Sequence, residues 1–386
     1  MTFKCPECAR DLTVDDKGRG LTVACPLCGK QIQIPSGDTQ SSTPDVGEFA
    51  ARVSARISST VGVEKLEGFS LKEMFSEVFA KHTDEEVERY FAVGGPDTTP
   101  PIADVDTSWP KPWVFFRTFM TALIAYIGFV QAWEEFENIN LIPGLIMVGS
   151  FAVPFATLLF FFEANVRRNV SLFQINKLVF LGGILSLVLS LIMFQVIAVI
   201  DLKWLGASVA GLAEEPGKLL ALAVIVNNRK YPYILNGLLF GAAVGTGFAA
   251  FESAGYALYY ALEGGTDSMK DVILTRGMLA PFGHIAWTSM VAAALWRVKG
   301  ANRFTFSMVK DVRFLRVLIA AVVLHMLWNT NIYLPFYGKF VILGIVAWVI
   351  VLGLLQEGLK QLRAEKSLAI SNTTLGEVLP ENRPVA

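Results

Sequence analysis

Glu214, Glu215 and Lys218 lie inside one apolar stretch of the chain, and Glu252 lies inside the next. Of the chain's three histidines, His284 and His325 fall in the two stretches that follow, the second with Asn329 four residues on. Glu214 and Lys218 would share a helix face in the favoured acid-before-base order, as would Phe248 with Glu252 and His325 with Asn329. Pro216 and Gly217 loosen the helix between the acids and the lysine. These side chains suit hydrolysis. A carboxylate takes a proton from water, imidazoles with a carboxylate hold a metal or orient that water, and an amide donates to a developing oxyanion. The same groups also suit a proton relay, so residue chemistry leaves hydrolase and transporter level. Taken singly, each residue has a structural reading as an interhelical hydrogen-bonding group. The set carries the argument.

A second constellation stands at the front of the chain. Cys5-Pro6-Glu7-Cys8 and Cys25-Pro26-Leu27-Cys28 are two Cys-x-x-Cys pairs at the separation of a four-thiolate zinc ribbon. So short a piece has too little core to fold without the metal, which makes Cys5, Cys8, Cys25 and Cys28 structural zinc ligands and residues 1–35 the ribbon. A redox dithiol is the other reading, but no βαβ pattern stands beside it. Residues 1–35 carry five basic and four acidic side chains, and a zinc tetrathiolate adds two negative charges. Without a positive surplus no nucleic-acid partner is expected, and a protein contact for the ribbon is the better expectation.

The elements that must position the first set are membrane helices. Apolar residues make up 53% of the 386 and charged ones 17%, with a mean hydropathy of +0.48. That excludes a wholly soluble enzyme and a disordered or collagen-like chain. No secretory signal is read, and with all four cysteines within the first 28 residues no disulfide framework supports the rest. Eight spans are expected: Val114–Gln131, Leu141–Phe162, Leu178–Ile200, Trp204–Val226, Ile234–Leu262, Met278–Trp296, Val317–Tyr333 and Phe340–Gln356. Arg167, Arg168 and Lys177, then Arg229 and Lys230, then Arg297, Lys299, Arg303, Lys310, Arg313 and Arg316 fill alternate loops. The positive-inside rule makes those loops cytoplasmic, and both termini with them. A central Asp, Lys or Arg costs ~2.5–3.5 kcal/mol on insertion scales, so the acids, lysine and histidines must meet one another or a wet cavity.

Before the first span, residues 36–112 read as a flexible linker, Ser36 to Asp45 being its Ser/Thr/Pro-rich part, followed by short helices. Phe49, Val53, Ile57 and Val61 recur every four residues as an amphipathic helix. Two more short helices are expected around Leu71–Phe79 and after Thr83, where Thr83 and Glu86 have capping-box spacing and His82 is a solvated surface residue. The fold class is thus an all-α polytopic membrane protein: a bundle of about eight transmembrane helices over residues 113–357, with a small N-terminal zinc ribbon, short cytoplasmic helices and a cytoplasmic tail at 358–386.

The intramembrane motifs carry a resemblance. Glu214-Glu215-Pro216-Gly217-Lys218 resembles the EExxK motif of the PrsW family of intramembrane proteases, and Phe248-Ala249-Ala250-Phe251-Glu252 its FxxxE motif. His284, with Arg276 upstream, falls at the third motif, and His325-Met326-Leu327-Trp328-Asn329 at the closing one. Phe162-Glu163-Ala164-Asn165 and Arg168-Asn169-Val170-Ser171 look like the family's second loop, so the likeness runs from about Val114 to Gln356. The resemblance implies endoproteolysis of a membrane-anchored protein in the bilayer of the cell (cytoplasmic) membrane, as when founding members start the regulated destruction of an anti-sigma factor. By the same likeness Glu215 with Glu214 would activate water, while Glu252, His284 and His325 would hold zinc or another divalent metal. Lys218 would balance charge and Asn329 would serve the oxyanion. Ser253 stands where the family pattern leads one to expect Asn, and the ribbon is an addition to the family core. The related superfamily leaves a CAAX-type processing protease as one alternative. A non-catalytic transporter or scaffold is the other, although no inverted repeat is visible among the spans.

Overall fold

A computed structural model describes residues 2–14, 21–34 and 46–378, and the chain divides into two compact units, residues 1–53 and 54–386. The segment from Ser36 to Asp45 expected as a linker lies outside the described residues.

The first unit holds two antiparallel hairpins, β1 (Thr2–Lys4) with β2 (Asp11–Thr13) and β3 (Thr22–Ala24) with β4 (Gln31–Gln33), in registers Phe3↔Leu12 and Val23↔Ile32. Between the strands of each hairpin the chain folds into a knuckle. Cys5 N donates to Arg10 O and Ala9 N to Cys5 O, both at 2.9 Å, and Cys25 and Gly29 repeat the pattern at 2.8 Å. The four sulfurs converge, all within 4.8 Å of one another, which is compatible with a zinc ribbon.

The chain is mostly helical, 72% helix with little strand. In chain order the helices are α1 (Val46–Val61), α2 (Leu71–Met74), α3 (Asp84–Phe91), α4 (Val114–Phe136), α5 (Ile142–Ala164), α6 (Leu172–Lys177), α7 (Gly183–Ala198), α8 (Ala210–Ile225), α9 (Ile234–Leu279), α10 (His284–Lys299), α11 (Val312–Trp328) and α12 (Gly338–Val378). Among the described residues, five helical stretches are long and apolar enough to cross a membrane: α4, α5 with its leading turn, α6 running into α7, α9 running into α10, and the apolar part of α12. Eight were expected, and the difference has a physical source. α8 and α11 have 16 and 17 residues, about 24 Å of rise or slightly more, and α9 passes into α10 through a tight turn at Ala280–Phe282.

The core lies on the first half of α9 and the whole of α10, where nearly every side chain is buried. They pack closely because α9 presents small residues to α10. At Gly245 a Cβ would stand 2.7 Å from His284 O and 2.9 Å from Ile285 Cα, so only glycine lets the start of α10 approach. Further along, α9 breaks at Gly265, whose φ of +77° favours a residue without Cβ. The arm after this break returns along α9, bringing Arg276 back to Glu252.

Polar clamps fix the ends of the helices. Glu163 at the end of α5 accepts from the amides of Trp113, Val114 and Phe115 at 2.8–2.9 Å, taking up donors that the first turn of α4 leaves free. Asn169 and Asn236 exchange hydrogen bonds at 2.7 and 3.2 Å, joining the loop after α5 to the start of α9. The second-loop motif is therefore a structural clamp. Gln356 in α12 accepts from Glu67 N at 2.7 Å and donates to Lys65 O at 2.8 Å, holding the segment after α1. Past residue 357 the helix continues to Val378, with Leu359 and Leu362 buried. Asp311 caps α11, and the Arg313 side chain beside it pulls its carboxyl down to about 2. That contribution to stability is present above the ordinary carboxylate range and is lost as pH falls through about 2.

Thr83 and Glu86 form the expected capping box at the start of α3. His82 is not solvated as expected. Its ring stacks on Trp113 at 3.6 Å and 5°, and Arg117 of α4 donates to its carbonyl at 3.2 Å.

Candidate functional site

Four helices deliver the ionisable side chains. α8 carries Glu214, Glu215 and Lys218; α9 carries Glu252; α10 begins with His284; and the last turn of α11 carries His325. Close backbone contacts set the rotation of α8. A Cβ at Gly211 would stand 2.8 Å from Val322 O of α11, and one at Gly217 would stand 2.8 Å from Ser190 N of α7.

The side chains meet. Lys218 Nζ, fully buried, donates to Glu215 Oε1 at 2.8 Å and to Glu214 Oε2 at 3.4 Å, and lies 2.8 Å from His284 Nδ1. Phe248 closes over the ammonium with its ring centroid 4.1 Å away. His325 Nδ1 lies 2.9 Å from Glu215 Oε1, which leaves Nε2 facing Glu214 Oε2 at 3.8 Å. His284 Nε2 lies 3.1 Å from Glu252 Oε2, and its Nδ1 lies 3.8 Å from Glu214 Oε2. The two imidazole centroids are 5.0 Å apart.

Glu214, His284 and His325 each offer one donor atom within 4.8 Å of the other two. Two imidazoles and a carboxylate form a donor set found in catalytic zinc sites. Each imidazole also has a carboxylate at its other nitrogen, Glu215 for His325 and Glu252 for His284, the usual arrangement around metal-bound histidine. By donor chemistry the residues fit a divalent metal, although the Lys218 ammonium, 2.8 Å from the His284 Nδ1 that faces Glu214, would have to release that nitrogen first.

Glu252 was expected as the ligating carboxylate, but the set that converges contains Glu214. Glu215 is 1% exposed and sits behind the imidazole of His325. Glu214 and Glu252 instead line a cavity of about 920 Å³ together with both histidines and Asn329. Adjacent glutamates on a helix point about 100° apart, so one faces the cavity and the other the protein.

Two partners were not legible as such. Trp287, one turn after His284, stacks on His325 at 4.4 Å and 26° and is fully buried. Arg276 pairs with the Glu252 carboxylate, donates from Nε to Ser253 Oγ at 2.9 Å, and lies over the Tyr256 ring. Ser253 thus has a use as an anchor for the arginine. Spacing gives no hint of this pairing, because it needs the chain reversal at Gly265. Arg276→Ala is expected to lower turnover at this site by about 10–100-fold, the usual cost of losing a group that orients a site residue. Metal content should not change; a matched loss of metal would show that Arg276 supports the whole site.

Residues 173–355 match a family model described as the PrsW family intramembrane metalloprotease. That segment is similar to the PrsW family. The match begins in α6 and ends in α12, so it includes all four site motifs and omits the ribbon, α4, α5 with Glu163 and the loop that follows it. No curated protein and no solved structure matches the chain. The family it resembles consists of intramembrane metalloproteases, and the apolar surfaces of these helices suit a multi-pass membrane protein.

Proposed function

We propose that the chain is an intramembrane endopeptidase that hydrolyses a peptide bond in a membrane-anchored protein. One observation carries this reading: Glu214, His284 and His325 converge on a cavity wall inside the segment similar to the PrsW family, with a further carboxylate beside each histidine. Glu214, His284 and His325 would hold a divalent metal, with zinc the natural candidate for this donor set. When bound, such a metal polarises a carbonyl and supplies a nucleophilic water at neutral pH.

The other residues then take separate roles. Glu252 is the remaining carboxylate on the cavity wall, and it accepts the proton of the attacking water and passes it to the leaving amine. Glu215 accepts from His325 and keeps its Nε2 turned to Glu214, while Lys218 balances the two buried acids. Asn329 lines the same cavity and donates to the developing oxyanion. Arg276 fixes Glu252.

On this reading the bundle crosses the membrane eight times, α8 and α11 being short crossings. The basic loops face the cytoplasm of a cell-membrane protein, the ribbon holds structural zinc and contacts a protein partner there, and anti-sigma-factor cleavage is the model for the pathway. The test is cleavage of a single-span reporter by the purified full-length chain in liposomes. A discrete cut with no solute uptake is expected; uptake by a folded protein that leaves every reporter intact would favour transport.

A further inference from the structure

We propose that the cavity is a lateral entry groove, in which an extended, uncharged stretch of a membrane-anchored polypeptide lies between α7 and α9 with a large apolar side chain over Gly255. This rests on the protease reading above. Two stripes form the walls: Leu187, Leu191 and Phe194 on α7, and Phe251, Gly255 and Tyr259 on α9. Spacings of three to four residues keep each stripe on one helix face.

The groove is a wedge. α7 and α9 touch where Gly183 meets Gly247, since a Cβ on Gly183 would stand 2.7 Å from Gly247 Cα. Three turns further along both helices, Phe194 and Tyr259 border open space. Leu191 and Tyr259 are 65% and 56% exposed there, so the opening faces the surroundings of the bundle, where lipid would lie. Charged groups line the floor as Glu214, Glu252 and Arg276, while the stripes are apolar. That contrast selects an uncharged occupant whose backbone reaches the floor.

An extended occupant follows from the chemistry. A helical peptide bond is hydrogen-bonded and screened by its own side chains, whereas an extended chain exposes each carbonyl and sends alternate side chains to opposite walls. Gly255 lies one turn beyond Glu252, and a Cβ there meets nothing within 4 Å. A side chain next to the reacting bond therefore has room at that point.

The test uses the full-length chain in liposomes with single-span reporters carrying Gly, Ala, Leu, Phe or Lys beside the cut bond. The unaltered protein is expected to prefer Leu and Phe and to leave Lys uncut. Gly255→Leu should lower cleavage of the Leu and Phe reporters by about tenfold or more, the usual discrimination of an apolar pocket, while Gly and Ala reporters keep their rates. An unchanged Leu-to-Ala ratio overturns the groove. Benzoylphenylalanine in place of Tyr259 gives a readout independent of turnover, expected to crosslink to the reporter near the cut. Crosslinking without any cleavage keeps the groove and ends the protease reading. Cleavage with no crosslink and an unchanged ratio keeps the protease and ends the groove.

Discussion

Glu252→Gln lowers the turnover of a single-span reporter by about 10²–10⁴-fold, the range that general acid–base catalysis supplies, and leaves bound metal unchanged. The carboxamide has the shape of the carboxylate and can still accept from Arg276, so the change removes proton acceptance more than packing. The side chains of Glu252 and Arg276 are 19% and 28% exposed, and water at the cavity softens any mismatch between them. The fall should appear in kcat with KM nearly constant, because the lost interaction belongs to the transition state. Turnover of the purified variant within about threefold of the parent would move the proton-accepting role to Glu214 or Glu215.

His325→Ala removes activity and metal together. The imidazole is 2% exposed, held by Glu215 on one nitrogen and turned toward Glu214 on the other. Glu215 keeps Lys218 as a partner after the change, so no carboxylate is stranded without a counter-charge. Turnover is expected to fall on the order of 10³-fold or more, as loss of the metal's Lewis acidity requires. By elemental analysis the variant should lose one metal equivalent per chain and keep the one at the cysteines. Replacing Cys5 and Cys8 by Ser should do the reverse, emptying the ribbon and sparing cleavage of a reporter that needs no adaptor. A His325→Ala protein with full metal and no activity would make this histidine a proton carrier instead of a ligand.

Convergence of these groups was legible in the sequence because lipid gives buried charge few options. Four acids and bases in α8 and α9, and a histidine in each of α10 and α11, must find one another or water. Which carboxylate meets which imidazole was not legible. Glu214 and Glu215 are neighbours in sequence, and their facing depends on the rotation of α8, set by backbone contacts at Gly211 and Gly217 with α11 and α7. Arg276 and Ser253 are joined by a chain reversal that one glycine conformation decides. His82 and Glu163 looked like surface and loop residues because their partners, Trp113 and the first amides of α4, lie tens of residues away. The ribbon spacing was easier to read, since its ligands and turns are local.

A double-variant cycle between Glu252 and His325 tests most directly whether these helices build one reacting centre. Turnover is compared in the parent, Glu252→Gln, His325→Ala and the double variant, each reconstituted at equal lipid-to-protein ratio and shown to be folded. Groups acting as one unit give losses far from additive, so the double variant should be scarcely slower than the worse single one. A double loss equal to the product of the two single losses would mean that the α9 carboxylate and the α11 imidazole act independently, contradicting a shared site.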